Sequence, residues 1–158
     1  MGNKIVSLNI MSKENAKSAS YALAGKTAII SVNNMSDDEV HFQKSDNLIG
    51  VLSLRFDDVT GSEDYKMEES DGEKIKAFLK TMLPEIDRLI VHCEYGVSRS
   101  SGVAAAILKA ITGSDLEIFN NPKYCPNMHC YRTTFNALFD ENGESLLPDT
   151  DMKFSTVG

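Results

Sequence analysis

The chain has 158 residues, the usual size of one domain, and its 42% hydrophobic and 25% charged residues match ordinary globular usage. A fold of this size buries about 68–70% of its unfolded surface, so it needs no disulfide or metal staple to hold a core. Sixteen basic against 23 acidic side chains leave a net charge of −7 with no basic block, which argues against nucleic acid or an anionic membrane as a general partner. Any anion-binding site must therefore be local.

No apolar run approaches the roughly 18 residues of a membrane span, and the start lacks a basic region followed by a long apolar stretch with a cleavage site. The expected location is cytoplasmic. Met1-Gly2 invites a myristoylation reading, but the position that needs Ser or Thr holds Val6, with Ser7 one place too far. Cys93, Cys125 and Cys130 are an odd and sparse set for a disulfide scaffold, which suits a reducing compartment.

Residues 4–10 carry Ile5, Val6, Leu8 and Ile10 and are expected to form a first strand, ahead of a polar, Ala-containing stretch over 12–24 with weak helical character. Two short apolar runs rich in β-branched residues, 27–32 (TAIISV) and 49–56 (IGVLSLRF), predict two more strands. The chain then turns polar and acidic over 57–71, a loop of about fifteen residues, a length that in a compact domain often marks function. Ser70 and Glu73 have the spacing of a capping box, opening a helix whose stripe is Ile75, Phe78, Leu79, Met82, Leu83 and Ile86 and which Pro84 kinks or ends.

Leu89-Ile90-Val91, apolar on both faces, predicts a central buried strand. It is followed by a tight loop beginning at His92-Cys93 and by an Ala-rich helix stopped at Gly113. Ser114 and Glu117 suggest a second capping box on a short helix that fails by Asn120-Asn121-Pro122. Asn127 can cap a last helix bearing Tyr131, Phe135, Leu138 and Phe139 on one face, and from Glu141 onward the tail is polar and expected to be loose. Strands alternating with helices predict a single α/β domain over 1–158, with a central, mainly parallel sheet of four or five strands flanked by helices. In such sheets, sites lie beyond the carboxyl ends of strands, where the 92–100 loop falls.

That loop has a physical logic of its own. Residues 94–99 wrap toward a helix N-terminus, so several amides can converge on one anion in a place where the helix dipole favours negative charge. Glu94, Tyr95, Gly96, Val97, Ser98 and Arg99 would form this phosphate cradle. Gly96 permits a backbone angle or approach that a Cβ would obstruct, and the planar fork of Arg99 can bind two phosphate oxygens, which Lys does poorly. Cys93 would lie at its floor, where the amides, the dipole and the Arg99 charge favour the thiolate, the nucleophilic form. Average residue frequencies give the pattern His-Cys-x-x-Gly-x-x-Arg-Ser/Thr a chance expectation on the order of 10⁻⁵ to 10⁻⁴ in a chain of this length.

His92, Cys93, Gly96, Arg99 and Ser100 resemble the signature of the cysteine-dependent protein tyrosine phosphatase superfamily, specifically its small dual-specificity type, with a looser resemblance over residues 49–139. The resemblance implies a phosphatase-type phosphate loop between strand and helix and a reaction through a phosphocysteine. The signature Cys attacks phosphorus in line, an Asp on a separate loop protonates the leaving oxygen and then activates water, and the Ser after the Arg helps the thiolate leave. These roles fall on Cys93, Asp58 and Ser100, while His92 shapes the loop by hydrogen bonds and tunes the thiolate. The family's acid follows a strand thirty-odd residues before the Cys. Leu54-Arg55-Phe56-Asp57-Asp58 fits best with Asp58, but Asp57 is a rival because neighbours at a strand end point to opposite sides, and Glu63 or Asp64 stay open. Pro126-Asn127 is similar to the family's Pro-Asn, whose Asn braces the catalytic loops, although the aromatic expected three positions on is here Cys130.

Plainer readings stand beside these. Cys93 can be an inert buried thiol, Arg99 a partner in an internal ion pair, Ser100 and Ser101 satisfiers of helix-start amides, His92 structural, and Asn127 a simple cap. Cys125, His129 and Cys130 supply only three local ligands for zinc, so no metal and no cofactor is expected. Either thiol could instead trap Cys93 as a protective disulfide. The expected activity is hydrolysis of phosphomonoesters on proteins or peptides: phosphotyrosine, with phosphoserine and phosphothreonine as further candidates. The alternatives are a non-catalytic phosphate reader and a phosphatase for phosphoinositides or RNA 5′-phosphates. The variable loop positions Glu94, Tyr95, Val97 and Ser98 add no cation, which favours singly phosphorylated targets.

Overall fold

The computed structural model describes residues 4–156, so the Met1-Gly2 pair lies outside the described residues. Its five strands are β1 (Ile5–Ser12), β2 (Thr27–Asn33), β3 (Leu48–Arg55), β4 (Arg88–Cys93) and β5 (Asp151–Phe154), in the order β3-β2-β4-β1-β5. Every neighbouring pair is parallel. Helices α1 (Lys13–Ala19), α2 (Glu69–Met82), α3 (Arg99–Thr112), α4 (Leu116–Phe119) and α5 (Met128–Leu138) complete the chain, with a 3-10 turn at Ser20–Ala22.

β2 is buried at all seven positions and β4 at five of its six, because both lie inside the sheet and both faces are covered. Strand alternation divides their side chains. Ile30, Leu89 and Val91 join the main core with Leu79 of α2, Val103 and Ile107 of α3 and Leu138 of α5, whereas Ile29 and Ile90 meet Met11 and Ala16 in a smaller cluster beneath α1. In a parallel sheet the carboxyl ends share one edge. The register pairs Ser12 of β1 with Cys93, and Ser31 of β2 with His92, which brings the starts of α1 and α3 together at that edge.

The predicted strands are recovered with ends shifted by one or two residues. Gly113 ends α3 in the left-handed region at φ 88°, and Asn127 caps α5 by accepting the Cys130 amide at 2.9 Å. Helix α2 ends just before Pro84. Its start is a correction. The capping box is formed by Glu68 and Asp71 rather than Ser70 and Glu73: Asp71 Oδ2 accepts the Glu68 amide at 2.8 Å while the Glu68 carboxylate accepts in return. Glu73 instead takes Lys76 Nζ at 2.9 Å. Met67, buried directly before the cap, sets the entry of the helix two residues earlier than the local pattern suggests. Likewise Ser114 Oγ accepts the Leu116 amide at 3.3 Å, but α4 has Asp115 at its cap position and no Ser114–Glu117 box.

The stretch from 141 onward, expected to be loose, contains β5. This strand pairs with β1 from Ile5↔Asp151 to Leu8↔Phe154 and buries Phe154 against Tyr124, ring centroids 5.9 Å apart. Only one of its four residues is fully buried, and so short an edge strand leaves little periodicity in the sequence.

Candidate active site

The loop between β4 and α3 is clamped from both sides. At Gly96 φ is +71°, and a Cβ there would stand 2.6 Å from the Met11 carbonyl carbon and 2.7 Å from the Ser12 nitrogen, so only glycine fits under the β1–α1 junction. The Lys13 amide donates to the Glu94 carbonyl at 3.2 Å, and Lys13 Nζ lies 3.1 Å from Glu94 Oε2. On the far side the amides of Cys125 and Asn127 donate to the carbonyls of Val97 and Ser98 at 3.0 and 2.9 Å. Ser101 Oγ donates to the same two carbonyls. Ser101 therefore braces the loop from outside rather than satisfying helix-start amides.

These contacts sort the loop by polarity. Carbonyls of Glu94, Val97 and Ser98 are taken by neighbouring segments, whereas among the described residues no group accepts the amides of Tyr95, Gly96, Val97 or Ser98. Donors remain at the N-terminus of the fourteen-residue α3, the arrangement that attracts an anion. Cys93 ends β4, 3% exposed, with Sγ 3.0 Å from Ser100 Oγ. Arg99, 5% exposed, donates from one terminal nitrogen to the Phe56 carbonyl at 2.8 Å. A backbone carbonyl, not a carboxylate, thus anchors the guanidinium, and its other donors keep their capacity for a ligand.

The two adjacent aspartates part at the end of β3. Asp57 turns to the amide of Met35, which its Oδ1 accepts at 2.9 Å, and its own amide donates to the Tyr65 carbonyl. Asp58 faces the 94–98 loop: its Oδ1 accepts from Ser98 Oγ at 2.9 Å and from Asn127 Nδ2 at 2.7 Å. Asn127 Nδ2 also reaches the Val59 carbonyl at 2.9 Å, so this residue caps α5 and ties the acidic loop to it at once. Glu63 is committed to Thr60, whose hydroxyl and amide hold its carboxyl below the usual range.

No protein-family profile matches the chain, and no curated protein matches it. Solved structures do. Human DUSP28 superposes with a TM-score of 0.59 at 19% identity, over 82% of this chain and 90% of that one. A mouse putative dual specificity phosphatase complexed with zinc tungstate gives 0.58 at 18%, over 80% and 78%. The human tyrosine phosphatase-like serine/threonine/tyrosine-interacting protein gives 0.55 at 16%, over 80% and 93%. The chain has the dual-specificity phosphatase fold.

Within this fold, His92 is held in a way that the sequence did not disclose. The ring is fully buried, with Nε2 2.6 Å from Ser31 Oγ, Nδ1 3.1 Å from the Cys93 carbonyl, and Phe42 packed edge-on at 5.7 Å. Ser31 in turn accepts from Asn33 Nδ2 at 3.3 Å, and that amide also donates to the Leu54 carbonyl at 3.2 Å. With Nδ1–H donating to the carbonyl, Nε2 accepts the Ser31 proton, which requires the neutral ring. Burial first, then the Lys13 and Arg99 charges, push His92 below its ordinary value of 6.5, a trend its bond to the Cys93 carbonyl opposes in part. The hint of Ser31 in the sequence is a hydroxyl set between Ile30 and Val32 in a largely apolar strand.

The linkage has a definite sign. A depressed histidine stabilises the fold fully above the unfolded value of 6.5, and that contribution is lost as pH falls below it. The melting temperature of the wild type should therefore exceed that of His92→Gln by a margin that narrows between about pH 7.5 and 5.5. A margin that widened as pH fell would show that His92 is charged in the native state, and one independent of pH would show that burial does not shift its titration.

Cys125 is exposed and Cys130 buried, and all three cysteines are free. Burial, reinforced by Asp58, pushes the Cys130 thiol up, so it packs as a protonated apolar group beside Gly102, where a Cβ would stand 3.2 Å from Cys130 Cβ. His129 commits Nε2 to the Met67 carbonyl at 2.8 Å. No helix among the described residues is long and apolar enough to cross a membrane.

Proposed function

We propose that the chain, residues 1–158, forms one catalytic domain, a cysteine-dependent phosphatase that hydrolyses phosphomonoesters on proteins, phosphotyrosine first, by way of a phosphocysteine. The observation that carries this reading is the sorted polarity of the 94–98 loop: carbonyls are turned out to neighbours and amides left unclaimed, between the Cys93 sulfur and the buried Arg99 guanidinium.

In this reading the loop amides and Arg99 hold the three non-bridging oxygens of the phosphoryl group. The Cys93 thiolate attacks phosphorus, and the bond to the ester oxygen breaks as Asp58 transfers its proton to that oxygen. Water then attacks the phosphocysteine and loses a proton to the Asp58 carboxylate. The departing sulfur takes back its electron pair with the Ser100 hydroxyl, 3.0 Å away, donating to it. Inorganic phosphate leaves and both groups return to their starting states. Ser98 and Asn127 hold Asp58 beside the loop, and His92 stays neutral and fixes the Cys93 carbonyl. No metal or cofactor enters the cycle, and the reducing setting that a thiolate nucleophile needs is the cytoplasm.

Purified protein should hydrolyse a generic aryl phosphate in the presence of a chelator, and orthovanadate should inhibit it. Absence of turnover, or a requirement for a divalent metal, would overturn the proposal. One structural neighbour is by name a phosphatase-like interacting protein, which gives weight to a second reading, a phosphate-binding module without turnover. The same assay separates the two. A polyanionic substrate such as an inositol lipid or an RNA 5′-phosphate suits the loop less, because Glu94 spends its charge on Lys13 and positions 95, 97 and 98 carry none.

A further inference from the structure

Beside Asp58 a groove of about 510 Å³ opens and runs along the first turns of α5. Asp58, Val59, Ser98, Met128, His129 and Arg132 are among the residues that line it. His129 and Arg132 differ in their partners. His129 is committed to the Met67 carbonyl, whereas exposed Arg132 has no hydrogen bond or ion pair to any described residue. Glu68 and Glu69 share a neighbouring cavity with Arg132, but neither carboxylate comes within the 4.0 Å of an ion pair, and Glu68 is occupied in capping α2.

We infer that Arg132 is a specificity-determining residue of the proposed phosphatase, receiving an acidic side chain of a phosphopeptide substrate about two residues from the phosphorylated one. The inference rests on the reading of the 93–99 site. Asn127, whose side chain touches Asp58, lies five residues before Arg132, a rise of about 7.5 Å along a helix. An extended peptide covers that distance in about two residues. The charge pattern makes the position selective. The chain as a whole carries −7, so an uncommitted guanidinium in the groove beside Asp58 is a favourable place for an acidic peptide residue. Arg offers a bidentate fork to a carboxylate and equally to a second phosphate, so both are admitted by the same chemistry.

The test is a scan of phosphotyrosine peptides with a single Asp, or in a matched set a single Lys, moved through three positions on either side of the phosphotyrosine in an otherwise neutral sequence. Wild-type kcat/KM should rise about three- to fivefold at one position near two residues away, and the rise should shrink in high salt. In Arg132→Glu the preference at that position should pass from Asp to Lys. Ratios between peptides within each variant cancel any general loss of activity. A flat scan, or an Asp preference unaltered in Arg132→Glu, would overturn the inference. Failure of the phosphatase reading looks different: no peptide is turned over. The same scan is then read as binding to Cys93→Ser, where an Asp optimum sustains the subsite and its absence removes it. Replacing the Asp with phosphoserine at the optimum tells a carboxylate subsite from a second-phosphate subsite.

Discussion

Cys93→Ser lowers kcat on an aryl phosphate by more than about 10⁴-fold while the protein still binds phosphotyrosine peptides. The size follows from the chemistry of the lost atom. A serine hydroxyl is not ionised near neutrality, and among the described residues no histidine or carboxylate is hydrogen-bonded to the Cys93 sulfur to serve as its base; Sγ is met by the Ser100 hydroxyl. Binding survives because its donors are elsewhere: the amides of residues 95–98, fixed by the clamps on the loop carbonyls, and Arg99, anchored on the Phe56 carbonyl. Initial rates and calorimetric titration of the two proteins check this. Turnover by the variant above about 1% of wild type would show that the sulfur is not the nucleophile.

Asp58→Asn carries the second largest effect, a loss of about 10²- to 10³-fold in kcat on phosphotyrosine peptides. A phenolate leaving group of ordinary tyrosine basicity, near 10, leaves poorly unless it is protonated as it departs. A nitrophenyl ester, whose leaving group is a weaker base, should lose less. Asparagine preserves the shape and can still meet Ser98 and Asn127 but has no proton to give, so the fall of activity toward high pH should flatten in the variant. Asp57→Asn is the control. Its carboxylate is engaged with the Met35 amide, so its loss disturbs the loop and should cost less than about tenfold with the basic limb retained. If Asp57→Asn proved the more damaging of the two and flattened the profile, the assignment of the acid would be reversed.

Short-range physics made much of this molecule legible in advance. The apolar runs at 27–32 and 89–91, the stop at Gly113 and the cap at Asn127 depend on neighbours within a turn or a strand. The cluster from His92 to Ser100 is also local: a strand end, a glycine that must pass under another backbone, and a helix start. Its residue types are therefore visible as a spacing. Where local signals competed, the ordering failed, as at α2, where Ser70 and Glu73 had the right spacing but buried Met67 set the start at Glu68.

What the amino-acid sequence determined by itself was the α/β alternation, the tight loop over 92–100 and the position of Cys93 between a buried strand and a helix. The tertiary structure alone decided which aspartate faces the loop, through bonds from Asp58 to Ser98 and Asn127 across separations of 40 and 69 residues. It also decided that Ser31 sets the His92 ring across 61 residues, that the Phe56 carbonyl anchors Arg99 across 43, and that residues 151–154 close the sheet. The physical reason is common to all four. Each depends on which atoms parallel pairing brings to one edge, and a hydrogen bond between distant segments leaves no periodicity or spacing in either of them.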